Sequence, residues 1–270
     1  MQVAQKPVIA VSGGSSGIGR ATALLFAAQG CTVYVLSRHS ANDASVHHIP
    51  CDVCDRAAVD AAFAQIFAAE GRLDTLINCA GMGISGAVEF TEAADAQRIF
   101  AVNFFGSLNC VQAALPYLRQ SRQAGQTPHI VNTSSVAAPI AIPFQAFYSA
   151  TKAALNSLTL ALANELRPFG IAVTAVMPGD VRTNFTAASQ KSLAGQELYG
   201  KTIARSLAVM EKDEQNGMTP EYVAKRIYKA AQKRDPQPLY TVGPKYRLFV
   251  VIAKFFPAAW VNKWVGKLYS

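Results

Sequence analysis

Apolar residues in this chain are grouped in two ways. Short runs, apolar at consecutive positions, fall at 8–12, 32–36, 46–49, 73–77, 129–133, 171–176 and 239–242. Each presents apolar side chains to both faces of an extended segment, the pattern of a parallel strand covered by helices on both sides. Segments 17–29, 55–70, 93–119, 148–167 and 219–234 instead repeat apolar positions every three or four residues, as a helix with one buried stripe does. The last of these opens on Thr219-Pro220-Glu221: a cap, a first-turn proline and an acid that favours the positive end of the helix dipole. The fourth closes on Arg167-Pro168-Phe169-Gly170, a basic last turn followed by breakers. Strands alternating with helices, without linker, repeat or low-complexity stretch, predict an α/β fold with one doubly wound parallel sheet over residues 1–270. Residues 37–45 leave no room for a crossover helix, so that connection is expected to be a loop or a single turn.

Composition supports a large buried core: 51% of residues are apolar and only 16% charged, which argues against disorder. Five cysteines (Cys31, Cys51, Cys54, Cys79 and Cys110) are odd in number and scattered, unlike a disulfide framework. The first ten residues lack the pattern of a secretory signal. A reducing cytoplasm is the expected setting. The net charge of +8 is uneven, because residues 1–200 hold 12 basic and 12 acidic residues while 201–270 hold 13 and 5. Such a tail reads as a solvated basic face or as one drawn to an anionic membrane or acidic ligand.

Immediately after the first strand comes Ser12-Gly13-Gly14-Ser15-Ser16-Gly17-Ile18-Gly19, opening onto a helix. A turn this poor in side chains lets backbone N–H groups and the helix N-terminus face a pyrophosphate. The plain alternative is a tight strand–helix turn. The second strand ends in Leu36-Ser37-Arg38 with no acid at the corner. An acid there would bind a ribose 2′-hydroxyl, whereas an arginine accommodates a 2′-phosphate, so Arg38 points to NADP(H).

Tyr148 and Lys152 lie four residues apart at the start of a helix and share one face. A phenol is a poor base at neutral pH, and a neighbouring ammonium is expected to lower its pKa. The pair is one of an ordered set: the glycine loop, Asn78-Cys79-Ala80-Gly81, Asn103, Ser134-Ser135, Tyr148 through Lys152, and Pro178-Gly179-Asp180-Val181-Arg182-Thr183. Over residues 7–185 this set resembles the short-chain dehydrogenase/reductase family, in its single-domain branch with a Rossmann-type fold.

The resemblance implies roles. Tyr148 would be the acid/base, Ser135 would position the carbonyl oxygen, and Lys152 would hold the nicotinamide ribose and tune Tyr148. Asn103 would anchor a water that connects Lys152 to solvent. Gly13, Ser15, Ser16, Gly17, Ile18 and Gly19 would cradle the phosphates, with Ser37 and Arg38 at the 2′-phosphate. Asp52 and Val53 would border the adenine, Asn78, Ala80 and Gly81 the adenosine ribose, and Pro178, Gly179, Val181 and Thr183 the nicotinamide. Ser12 and Cys79 replace a usual threonine and asparagine, both small changes. The implied activity moves a hydride between NADP(H) and a carbonyl or secondary alcohol. A homodimer or homotetramer through the helices of Asn103 and Tyr148 is likewise implied.

Other segments bear on the substrate. The stretch 248–261 is strongly apolar but too short to span a bilayer. Three readings stand: a helix over the cleft or a dimer surface, a membrane-interface segment helped by Lys245, Arg247, Lys254, Lys263 and Lys267, or both. A basic, apolar extension over about 243–270 is similar to that of family members handling steroid-, retinol- or sphingoid-type substrates, so a hydrophobic ligand is expected. Residues 184–215, read as a polar and mobile substrate loop, would shape its pocket. His47, His48, Cys51 and Cys54 sit on a predicted strand whose side chains alternate, which does not suit a zinc site, so no metal is assigned. No feature calls for nucleic acid. Two competing readings are a catalytically retired NADP(H)-binding regulator and a membrane-surface protein acting through its tail.

Overall fold

The computed structural model describes residues 6–40 and 42–269. The main sheet has seven parallel strands: β1 (Val8–Ser12), β2 (Thr32–Ser37), β3 (His47–Pro50), β4 (Thr75–Asn78), β6 (His129–Thr133), β7 (Ala172–Pro178) and β9 (Leu239–Val242), in the order β3-β2-β1-β4-β6-β7-β9. A minor parallel pair joins β5 (Ile84–Ser85) to β8 (Gln190–Lys191). The polarity pattern explains the layering. Along β1 every residue is buried, with Val8 and Ala10 facing one layer and Ile9 and Val11 the other. The first layer holds α2 (Arg56–Glu70), α4 (Gly106–Gln123) and α5 (Ala146–Glu165), and the second holds α1 (Gly17–Ala28) and α9 (Pro220–Ala231). This is the doubly wound Rossmann-type fold that the alternating pattern predicts.

Local signals act where they stand in the chain. Asp55 caps α2 by accepting from the Ala58 N–H at 3.1 Å, and Gly71 ends that helix at φ 67°. Thr219 caps α9 by accepting from the Tyr222 N–H at 3.2 Å. The short β2–β3 connection contains only turns among its described residues, as its length requires.

Two expectations need correction. The predicted helix 93–119 is divided into α3 (Ala93–Phe100), a π-helical turn (Ala101–Phe105) and α4. The run 93–123 is long and apolar enough to cross a membrane, yet it packs in the protein, with Ile99, Cys110, Ala114 and Leu118 fully buried. Residues 184–215 form mostly helix rather than loop: α6 (Phe185–Ala188), α7 (Gln196–Tyr199) and α8 (Thr202–Gln215). Ile203, Leu207 and Met210 on α8 bury themselves against Ala87, Phe90 and Tyr269, which gives that segment a core of its own. Downstream lie α10 (Pro244–Ala253) and α11 (Ala258–Tyr269), separated at Pro257.

Candidate active site

The carboxyl ends of β1, β4, β6 and β7 open on one cleft of about 1420 Å³. In a doubly wound sheet this edge, where strand order reverses, is where ligands sit. Every cofactor residue expected from the sequence lines it except Asn78.

At one end lies the glycine loop. Gly13 adopts φ 67°, and a Cβ there would come within 2.6 Å of the Ala80 backbone N. Only glycine lets the loop lie this close to the strand beside it. Its N–H donates to the Leu36 carbonyl at 2.8 Å, which ties the loop to β2. Ser16 begins α1 without a side-chain cap among the described residues. The first N–H groups of α1 therefore remain available to an anion in the cleft. Ser37 and Arg38 at the end of β2, with Asp52 and Val53 beyond β3, form the outer wall, and Arg38 is exposed. This bare-backbone cradle fits a dinucleotide pyrophosphate, and the cationic corner beside it fits a further phosphate.

Asn78 does not line the cleft. It stands behind the cleft, accepting from Ser12 Oγ at 3.2 Å and donating to Asn132 Oδ1 at 2.9 Å. It thereby joins β1, β4 and β6, while Ala80 and Gly81 supply the cleft surface. Its position as the last residue of a fully buried strand accounts for this.

At the other end, Tyr148 in the first turn of α5 reaches the cleft wall, its ring 5.6 Å from that of Phe185. One turn on, Lys152 is only 5% exposed. Its Nζ donates to the Thr133 carbonyl at 2.9 Å and stands 5.7 Å from the centre of the Tyr148 ring. Ser135, two residues past β6, accepts from the Ala137 N–H at 3.1 Å and lines the same cleft wall as Tyr148. Burial pushes the Tyr148 phenol up to about 12; the nearby Ser135 hydroxyl opposes this, while Asp180 and Glu214 reinforce it. Burial brings Lys152 down to about 8, with Cys79 opposing. The expected lowering of Tyr148 by Lys152 is thus not the dominant effect. Desolvation governs both groups, and the ammonium is turned towards a backbone carbonyl.

Asn103 is fully buried and does not face the cleft. Its Oδ1 accepts from the Met82 N–H at 2.8 Å, and its Nδ2 donates to the Met82 carbonyl at 3.0 Å and to Thr151 Oγ1 at 3.1 Å. The π-helical turn that carries it widens the helix so that Gly106 N–H bonds the Ala101 carbonyl, five residues back. A Cβ at Gly81 would lie 3.4 Å from Asn103 Oδ1 and 3.8 Å from Lys152 Nζ, so both groups converge on one small space beside Gly81.

Several cleft residues lay beyond sequence reasoning. Ile142 arrives from a segment that no pattern marks, whereas Met210 and Glu214 belong to the stretch 184–215 expected to shape the pocket and Tyr269 to the C-terminal extension, though nothing local singles out these residues. Asp180 was visible inside the motif from Pro178 to Thr183 but had no role assigned. It accepts a hydrogen bond from the Tyr246 hydroxyl. Glu214 accepts from Thr183 Oγ1 at 3.0 Å.

A dinucleotide-shaped cleft with a tyrosine, a serine and a lysine at its inner end defines a Rossmann-type oxidoreductase site. Residues 7–194 match the short chain dehydrogenase family, and the chain belongs to that family of oxidoreductases. A 3-ketodihydrosphingosine reductase of Bacteroides thetaiotaomicron is 39% identical over 253 residues, covering 93% of each chain. A short-chain dehydrogenase from Streptomyces avermitilis superposes with TM-score 0.82 at 30% identity, covering 98% of this chain and 97% of that one. ElxO with NADP bound superposes with TM-score 0.74 at 25% identity, covering 90% of this chain and all of that one.

Proposed function

We propose that this chain is an NADP(H)-dependent reductase of a long-chain ketone that carries a cationic nitrogen close to its carbonyl, a compound of the 3-ketodihydrosphingosine type. One observation carries the reading: Ser135, Tyr148 and Lys152 share the wall of a cleft whose far end is the glycine loop and Arg38. The cofactor, when bound, supplies the hydride. Ser135 donates to the substrate oxygen and orients it, and Tyr148 delivers the proton to that oxygen. A phenol held near 12 is protonated at neutral pH and therefore poised as the acid. Lys152, set near 8, exchanges protons readily around neutrality and supports the supply to Tyr148. Retention of all three polar groups weighs against a retired regulatory protein.

The substrate class rests on the wall around Tyr148. Ile142, Phe185, Met210 and Tyr269 offer apolar surface to an alkyl chain. Asp180 and Glu214 stand close enough to raise the Tyr148 phenol, and they offer negative charge to an ammonium beside the carbonyl. The identity to the Bacteroides reductase supports the same class. The five free thiols support a cytoplasmic setting. Exposed Phe105, Leu160 and Phe169, on or beside α4 and α5, support assembly through those helices.

The test follows NADPH oxidation with a long-chain 2-amino ketone, and with NADH in parallel. Tyr148→Phe is expected to lower turnover by at least about 100-fold while NADPH still binds; unchanged turnover would sink the proposal. Glu214→Gln is expected to raise KM for the amino ketone roughly five- to tenfold and to spare the deaminated analogue. Equal effects on both would remove the ammonium contact.

A further inference from the structure

The end of the chain presents a surface that the catalytic reading leaves unused. Eight of the fifteen large apolar side chains exposed among the described residues lie within 248–268, as do both tryptophans of the chain. They are ordered. On α10, Leu248, Val251 and Ile252 recur at i, i+3 and i+4, and Phe255, in the turn that follows, is 82% exposed. On α11, Trp260, Trp264 and Leu268 recur at four-residue intervals. Each helix already has its inward stripe: Val250 and Val265 pack with Ile140. The outward stripes are thus second apolar faces on helices whose first faces are satisfied. Phe256, in the connection, packs edge to face on Trp264 at 5.1 Å, and the two helices meet as a hairpin through the cluster of Val250, Ala253, Val261 and Val265. A contiguous exposed patch of this kind marks an interaction surface.

Charge identifies the partner. From residue 236 onward the chain has no Asp or Glu, whereas Lys245, Arg247, Lys254, Lys263 and Lys267 punctuate the same two helices. All five are exposed. A second copy seated on this face would set basic against basic with no acid to neutralise it. A bilayer containing anionic lipid meets both demands, since apolar and indole side chains enter the headgroup–acyl boundary while lysines remain at the phosphates.

We infer that the outward face of the α10–α11 hairpin docks this protein on anionic membrane surface, lying in the interface without crossing it. Tyr269, at the end of α11, also lines the cleft that holds Tyr148, so the docked face adjoins the catalytic cleft. Under the proposed function, which this corollary requires and the docking does not, a ketone dissolved in the bilayer has a short path to the cleft.

The experiment is co-sedimentation of the full chain with vesicles of phosphatidylcholine alone or mixed with phosphatidylglycerol, at low and high salt. Two double variants are run beside it: Phe255→Ser/Trp260→Ser for the apolar face and Lys254→Glu/Lys263→Glu for the charge. Circular dichroism and NADPH binding confirm that each variant is folded. The wild type is expected to pellet with phosphatidylglycerol vesicles, with partitioning on the order of tenfold weaker on phosphatidylcholine or at high salt. Each variant should lose on the order of tenfold in partitioning with NADPH binding unchanged. The inference is overturned by any of four results: wild type left in the supernatant, variants binding like wild type, no preference for anionic lipid, or a lipid-free dimer that Phe255→Ser/Trp260→Ser dissociates. None of these readouts uses turnover, so they stand apart from the test of the proposed function.

Discussion

Replacing Lys152 with methionine should make the folded protein more stable at pH 7 while removing its activity. The ammonium is buried beside β6 with no carboxylate paired to it among the described residues, and burial lowers its pKa from 10.5 to about 8. At about 1.4 kcal/mol per pH unit, keeping that charge in the fold at pH 7 costs about 3 kcal/mol. Methionine keeps most of the packing volume but loses the hydrogen bond to the Thr133 carbonyl, worth about 1 kcal/mol. The net gain is about 2 kcal/mol, or a rise of roughly 4–8 °C in Tm for a chain of this size. The pH dependence carries the sign. Below pH 8 Lys152 is protonated in both folded and unfolded chains, and above pH 10.5 it is neutral in both. Between these values the unfolded chain binds more protons, so wild-type stability rises with pH and the advantage of Lys152→Met disappears. Thermal denaturation of both proteins without cofactor, at pH 7 and again near pH 10.5, measures the gap directly. A variant that melts below wild type at pH 7, or a gap that persists at the higher pH, would refute the reasoning.

Two further changes probe the cofactor end. Arg38→Ala should weaken NADPH by about tenfold, the lower end for a charge-assisted contact because Arg38 is exposed, and should leave NADH within about twofold; titration calorimetry with both nucleotides separates these outcomes. Gly13→Ala forces a side chain into φ 67° and against the Ala80 backbone; it should lower Tm by several degrees and weaken both nucleotides alike, and preserved NADPH affinity would show that the loop can yield.

The layered fold was legible because both-face apolar strands have few other uses, and β1, β2 and β6 lie where their runs predict. The Tyr148–Lys152 face and the Gly13–Gly19 cradle were legible for a related reason, since helical spacing and φ freedom are local properties. What stayed hidden depends on partners far along the chain. The π-helical turn follows the engagement of Asn103 with Met82, 21 residues earlier, and nothing within 101–105 announces it. The amphipathic stripe of α8 makes sense only once Ala87, Phe90 and Tyr269 are gathered around it. The motif alone did not show that the Asn78 amide links three strands beneath the cleft, because its partners Ser12 and Asn132 lie far along the chain. For Tyr148, the sequence shows the cation one turn away but not the burial that acts in the opposite direction.

The π-helical turn makes the site vulnerable to a change in length that leaves helix content intact. Each residue of an α-helix advances about 100° around the axis, and the widened turn absorbs one extra residue without rotating α3 against α4. Deleting one residue from 101–105 would let the ordinary hydrogen-bond ladder close without a break. The two helices would keep their mutual phase, and only the bulge itself would be lost. If α4 kept its seat on the sheet, Asn103 could not remain opposite Met82, and the space shared with Lys152 beside Gly81 would lose a wall. The chain would keep its sheet, its cleft and its tyrosine. What it would lose is one local bulge, a feature that neither residue identity nor helix prediction records.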